Sequence, residues 1–244
     1  MLEWADEGYA SVILLPHEHD WGPRIMGLLV RRGHGNRVFD HRLSETRKVM
    51  KFCLLPYSRN PDPLERIKEV EDTINGIRNL VGYKREIDFE RQALIDETFG
   101  LSLQLLMSQP KRYMLSDLLE STFPRSPLHK QLREECTNPN VLMRLDAMRA
   151  GVVNERQTWG PIQRLVHQFL GSNSIALRES HDSPLEDTLE RGAIHIFEGG
   201  NNARVTSTFF NLVRLNVIAF LDNRWSRNGK EFPLLLIRDE TQGF

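Results

Sequence analysis

Leu234-Leu235-Leu236-Ile237-Arg238-Asp239-Glu240 is the stretch on which the reading of this chain turns. With Phe232 and Pro233 before it, the nearly continuous apolar run is what a central parallel strand carries when helices cover both of its faces. Open parallel sheets bind their ligands at the carboxyl ends of the strands, and this strand ends in two acids. A carboxylate fixed there suits a magnesium ion held through water, the role of Asp239. A second one suits orienting or deprotonating an attacking water, the role of Glu240. An apolar strand running into a plain polar turn gives the same string, so the rest of the chain has to decide.

Working outward, residues 205–225 read as a long helix whose apolar residues, Phe209, Phe210, Leu212, Val213, Val217 and Phe220 among them, wrap most of the way round. Residues 193–197 (AIHIF) read as a strand, and strand, helix, strand in so short a span implies a βαβ crossover. Ser183-Pro184-Leu185-Glu186 opens a short helix before it, closed at Gly192. At the other end of the chain, residues 2–7 are a helix closed by Gly8. Residues 10–15 (ASVILL) are a buried strand, 21–31 a helix stopped at Gly33, and 37–39 a further short strand.

The middle is all helix. Asp62-Pro63-Leu64-Glu65 supplies an N-cap, a first-turn proline and a capping glutamate, and Ile67, Val70, Ile74, Ile77 and Val81 follow on one face. Further helices are expected at 89–108, 116–121, 127–136, 139–149 and 160–170. The expected architecture is therefore α/β: a parallel sheet built from residues 1–55 and 185–244, with an all-α domain, 56–184, inserted between them.

Bulk properties narrow the function classes. The chain has 244 residues, 40% of them hydrophobic, enough for a sizeable core. A formal net charge of −1 is far from that of a free-standing nucleic-acid binder, so any contact with DNA must come from a local patch or an assembled ring. Two cysteines, Cys53 and Cys136, make neither a disulfide framework nor a zinc cluster. No run approaches the ~18 apolar residues of a membrane span, and the N-terminus lacks the form of a signal peptide. The expectation is a cytoplasmic chain, with any membrane anchor lying outside it.

The two acids after residue 237 have the Walker B form, yet no G-x-x-x-x-G-K-[S/T] phosphate loop is present to partner them. Pro16-His17-Glu18-His19-Asp20 follows the first strand. His17 and His19, alternate residues at a strand end, could ligate a metal as in a metal-dependent hydrolase, but such a barrel needs further ligands at later strand ends, and the middle of this chain is helical. A polar strand-to-helix turn gives the same residues. Glu198-Gly199-Gly200-Asn201-Asn202 reads as a loop, Arg204 and Arg214 as solvated or structural arginines, and Trp159 and Trp225 as packing residues.

Taken in order, these segments resemble the type IV secretion and conjugation coupling proteins (TraG/TraD-like) and the related HerA/FtsK-type P-loop ATPases. Pro16, His17 and Asp20 match the family's Asp-Pro-His-Gly-Asp turn, with Leu15 in place of its first Asp and Glu18-His19 where one Gly is usual. Phe52-Cys53-Leu54-Leu55-Pro56 resembles the segment before the family's helical insertion. Gly192 to Phe197 resembles the strand after it, and Asp239-Glu240-Thr241-Gln242-Gly243-Phe244 fits Asp-Glu-x-Gln-x-Phe. The resemblance implies a RecA-like core, here a portion running from after Walker A through Walker B. It implies ATP and Mg2+ as cofactors, with Asp239 on the metal, Glu240 and Gln242 catalytic, and Pro16, His17 and Asp20 in a turn near the nucleotide. It further implies DNA as substrate, a homo-oligomeric, hexameric ring, contacts with secretion or relaxosome proteins, and a place at the inner face of the membrane. Without its phosphate loop the chain alone is expected to be inactive. The other two readings are the metal-dependent hydrolase and a non-catalytic interaction domain derived from an ATPase.

Overall fold

The computed structural model describes residues 1–15, 21–43, 53–55, 89–109, 111–150, 185–200, 202–228 and 232–238, with scattered helical residues between 67 and 77 and between 159 and 167. The chain divides into two compact units, Met1–Phe52 with Ser180–Phe244, and Cys53–Glu179.

The first unit holds α1 (Leu2–Asp6), β1 (Ala10–Leu15), α2 (Trp21–Arg31), β2 (Val38–Arg42), α7 (Leu185–Leu189), β3 (Ile194–Glu198), α8 (Ala203–Asn228) and β4 (Leu234–Arg238). The strands form one sheet in the order β2-β3-β1-β4, and every pairing is parallel. The three strands read from sequence at 10–15, 193–197 and 232–237 thus share one sheet and one direction, as their apolar runs and helical connections require.

Both faces of the sheet are covered. On one, Ile13, Leu15, Ile194 and Ile196 pack with Ala5 of α1 and Leu29 of α2, and Ile25, Met26, Val38 and Ile237 close the cluster. On the other, Val12, Leu14, His195 and Phe197 alternate with that set, and Phe197 meets Phe209 of α8 edge-on at 5.6 Å. Each large side chain buried in this way contributes roughly 1.5–3 kcal/mol.

One expectation is corrected. Among the described residues the Leu-rich strand β4 is an edge strand of this sheet, not a central one, and the centre belongs to β1 and β3. Leu236 is 42% exposed, and the rest of β4 is at most half-buried. An apolar run records the burial its strand is suited to, and that says nothing of how many neighbours flank it. Trp225, expected to pack, is 58% exposed near the end of α8.

At the amino edge of the sheet Arg37 ties three segments together. Its Nε donates to the Gly192 carbonyl at 2.9 Å, Nη1 to Ala5 at 3.0 Å, and Nη2 to Tyr9 at 3.0 Å and to Gly192. The planar guanidinium with its fork of donors suits three carbonyls offered by three separate segments. Gly8 and Gly192 cross here with φ of 87° and 75°. A Cβ on Gly192 would lie 2.2 Å from the Gly8 carbonyl oxygen.

The second unit is helical among its described residues: α3 (Phe89–Met107), α4 (Asp117–Ser121), α5 (Pro127–Glu135) and α6 (Pro139–Ala150). Val70, Ile74 and Ile77 are buried while Lys68, Glu71, Asp72 and Asn75 are exposed, which is the expected stripe. The start of α5 follows its sequence signal, for the Ser126 hydroxyl accepts from the His129 amide at 3.0 Å with Pro127 in the first turn. His129 is buried, its Nδ1 2.6 Å from the Ser121 carbonyl, and Trp159 packs edge-on against its ring at 5.9 Å. Among the described residues no helix is long and apolar enough to cross a membrane.

Candidate functional site

The carboxyl edge of the sheet is the place to look, because strand ends there can converge on a ligand. The register fixes what stands along it. Arg42, at the end of β2, is paired with Glu198, at the end of β3; Glu198 is in turn paired with Leu15, at the end of β1. On the far side Leu14 is paired with Arg238, the last residue of β4. The ladders continue for one more step, since Leu43 donates to the Glu198 carbonyl at 3.0 Å and Gly199 to the Leu15 carbonyl at 2.7 Å.

Glu198 is the most deeply buried acid of this edge, 3% exposed. Its Oε2 lies 3.3 Å from Arg42 Nε, which also reaches Asp40 Oδ2 at 2.9 Å, so one guanidinium bridges two carboxylates. Its Oε1 occupies the space that a side chain at residue 22 would need, with an ideal Cβ on Gly22 only 1.4 Å away. Gly22 lies in the first turn of α2, so the carboxylate meets the positive end of that helix dipole. Both the burial of this acid and its position are thereby compensated by charge.

Beyond Glu198 the chain turns into α8. Asn202 caps that helix, its Oδ1 accepting from the Val205 amide at 3.1 Å, and the Thr206 hydroxyl accepts from the Gly200 amide at 3.0 Å. The Gly-Gly segment lets its backbone close tightly onto the first turn of the helix.

Beneath the edge, on the α8 side of the sheet, lies a buried polar chain. His41 Nε2 and His195 Nδ1 are 3.0 Å apart, and His195 Nε2 is 2.8 Å from the Thr188 hydroxyl, which donates to the Leu185 carbonyl at 2.7 Å. Phe39 stacks on the His195 ring at 4.9 Å, and Phe197 on the His41 ring at 4.6 Å. Burial first, and the neighbouring His41 second, hold the pKa of His195 well below the ordinary histidine value of 6.5, so the ring is neutral at physiological pH.

No family model, curated protein or solved structure matches this chain.

The catalytic, cofactor and metal residues expected from sequence lie outside the described residues. Pro16, His17, His19 and Asp20 follow β1 in the chain, and Asp239, Glu240 and Gln242 follow β4. What the structure does bring together is the pair of strand ends from which those segments depart, since β1 and β4 are parallel neighbours. Among the described residues no three His, Cys, Asp or Glu side chains gather as metal ligands. Sequence reasoning read Glu198 as a loop residue, where it is the last residue of β3, and passed over Arg42 and Asp40. The signal was available, because the string AIHIFE ends an apolar strand in an acid just as LLLIRDE does.

Proposed function

We propose that this chain is part of a RecA-like P-loop ATPase that moves DNA, resembling the coupling proteins of conjugation and type IV secretion. The observation that carries the reading is the parallel pairing of β1 with β4, register Leu14 with Arg238. The two segments that resemble family motifs follow directly on these neighbouring strands. The all-parallel sheet with helices on both faces supports the same core. So does the half-exposed Leu-rich edge at β4, which a RecA-like core would cover with a further strand.

In this reading Asp239 holds Mg2+ through water, Glu240 orients the attacking water, and Gln242 senses the γ-phosphate. Pro16, His17 and Asp20 form the turn alongside. ATP sits between subunits of a homo-oligomeric, hexameric ring at the cytoplasmic face of the membrane, with secretion or relaxosome proteins as further partners. ATP and Mg2+ supply the phosphoryl-transfer chemistry. Without a phosphate loop in these 244 residues, the chain's own contribution is the metal-holding and water-orienting edge.

The test is nucleotide binding. A protein extended upstream to include a G-x-x-x-x-G-K-[S/T] loop is expected to bind Mg-ATP and to hydrolyse it faster when DNA is added, while the 244-residue chain shows negligible turnover. An extended protein that binds no ATP would refute the proposal and leave the interaction-domain reading in its place.

A further inference from the structure

The segment 21–37, containing α2 and the turn after it, holds four arginines and no acid, in a chain whose formal net charge is −1. Of the four, Arg32 pairs with Asp6 at the surface and Arg37 ties the amino edge. The other two, Arg24 and Arg31, are exposed. At 100° per residue Trp21, Arg24, Leu28 and Arg31 fall within one arc of about 80°, turned away from Ile25, Met26 and Leu29, which pack on the sheet. Trp21 is 56% exposed and Leu28 40%. The Arg24 guanidinium lies 6.0 Å from the centre of the Trp21 ring. Pro23, Gly27 and the two arginines, with Leu28, line an open depression of about 590 Å3.

We infer that this outward face of α2 docks single-stranded nucleic acid, with a base stacked on Trp21 and backbone phosphates on Arg24 and Arg31. An indole offers its π-face to any base, and such stacking is sequence-tolerant. Two guanidiniums about 10 Å apart along the helix, with no acid between them, attract a polyanion rather than a neutral peptide. Gly27, having no side chain, and the flat ring of Pro23 leave the depression shallow enough for a backbone to lie against the helix. A partner recognised by charge alone would have no use for the exposed indole. The inference goes beyond the motor reading by assigning a contact surface, and it needs no nucleotide.

The experiment is fluorescence anisotropy of a fluorescein-labelled 20-mer of thymidine with the 244-residue chain, without ATP, over 50–200 mM salt. Binding is expected, with log affinity falling linearly in log salt. Arg24→Gln/Arg31→Gln is expected to weaken binding at least tenfold at low salt and to make the slope shallower by about 1.4, two phosphates' worth at ~0.7 each. Trp21→Ala is expected to weaken it by roughly 5- to 150-fold, and Arg24→Lys/Arg31→Lys to keep most of the slope. Far-ultraviolet circular dichroism of each variant shows whether the fold is kept, and the exposed positions make that the expected result. Variants that bind as the parent does would overturn the inference. So would a 20-base-pair duplex that binds more tightly than the single strand, or a polyglutamate of equal charge that displaces the oligonucleotide as well as unlabelled oligothymidine does. Failure here is distinct from failure of the motor. A DNA-stimulated ATPase whose oligonucleotide binding ignores α2 sinks this inference alone, and α2-dependent binding in a protein without ATPase activity sinks the motor alone.

Discussion

Three glycines with nearly the same backbone conformation give a controlled test of how the amino edge is held. Gly8 and Gly33 have φ of 87°, and Gly192 has φ of 75°. An alanine in this left-handed region costs about 1–2 kcal/mol, offset by about 0.4–1 kcal/mol from the stiffer unfolded chain. At Gly8 and Gly33 a Cβ meets nothing within 4 Å, so each alanine variant should lose only about 1 kcal/mol. At Gly192 the same Cβ lies 2.2 Å from the Gly8 carbonyl oxygen and 3.1 Å from Arg37 Nη2. The backbone must move, which adds about 1–3 kcal/mol of overpacking. The movement also loosens the Arg37 bonds to the Gly192 carbonyl, each worth about 1.5–3 kcal/mol as a hydrogen bond to a charged group. Gly192→Ala should therefore cost about 3–5 kcal/mol, a fall in melting temperature of roughly 6–20 °C, against about 2–4 °C for Gly8→Ala or Gly33→Ala. Thermal unfolding followed by circular dichroism and by tryptophan fluorescence measures all three. Equal losses at the three positions would show that the crossing of residues 8 and 192 with Arg37 does not hold the edge.

Two further substitutions probe the carboxyl edge and the layer beneath it. Gly22→Ala should cost about 1–3 kcal/mol by driving the Glu198 carboxylate away from Arg42, but in a Glu198→Ala background it should become neutral or mildly stabilising, since alanine suits a helix better than glycine by up to ~1 kcal/mol; urea unfolding of the cycle that returned one value in both backgrounds would reject the contact. For His195 the folded pKa lies well below 6.5, so the unfolded chain takes up a proton in a range where the folded ring does not. Its contribution is complete above pH 6.5 and is lost as pH falls from there toward the folded pKa, at up to about 1.4 kcal/mol per pH unit for one proton. His195→Gln should flatten the urea midpoint between pH 6.5 and 5, and an unchanged pH dependence would contradict the assigned burial.

Much of the fold was legible because burial leaves a periodic trace. The strands at ASVILL, AIHIF and FPLLLI were read within two residues of their observed limits. So was the helix Pro127–Glu135, which carries a capping serine and a proline at its start. The order of the strands was not legible, since period and hydrophobicity fix which face a strand buries and leave its neighbours open. That is why β4, with three leucines and an isoleucine in a row, turned out to be an edge. Glu198 was hidden for a related reason, because a buried acid is indistinguishable in sequence from a loop acid until Arg42 and the missing side chain of Gly22 are seen beside it. The acids after β4 and the turn after β1 remain readings of sequence alone, joined to the structure only through the strands they follow.

The most direct test of the proposed motor is single-turnover ATP hydrolysis by the upstream-extended protein carrying Glu240→Gln. The substitution removes the carboxylate that orients water and keeps Asp239 for the metal. The account predicts nucleotide affinity within a few-fold of the parent and hydrolysis reduced by at least about 100-fold, the usual scale of losing a general base. Undiminished hydrolysis by the Glu240→Gln protein would contradict the assignment of that acid and, with it, the reading of the strand that ends in Asp239-Glu240.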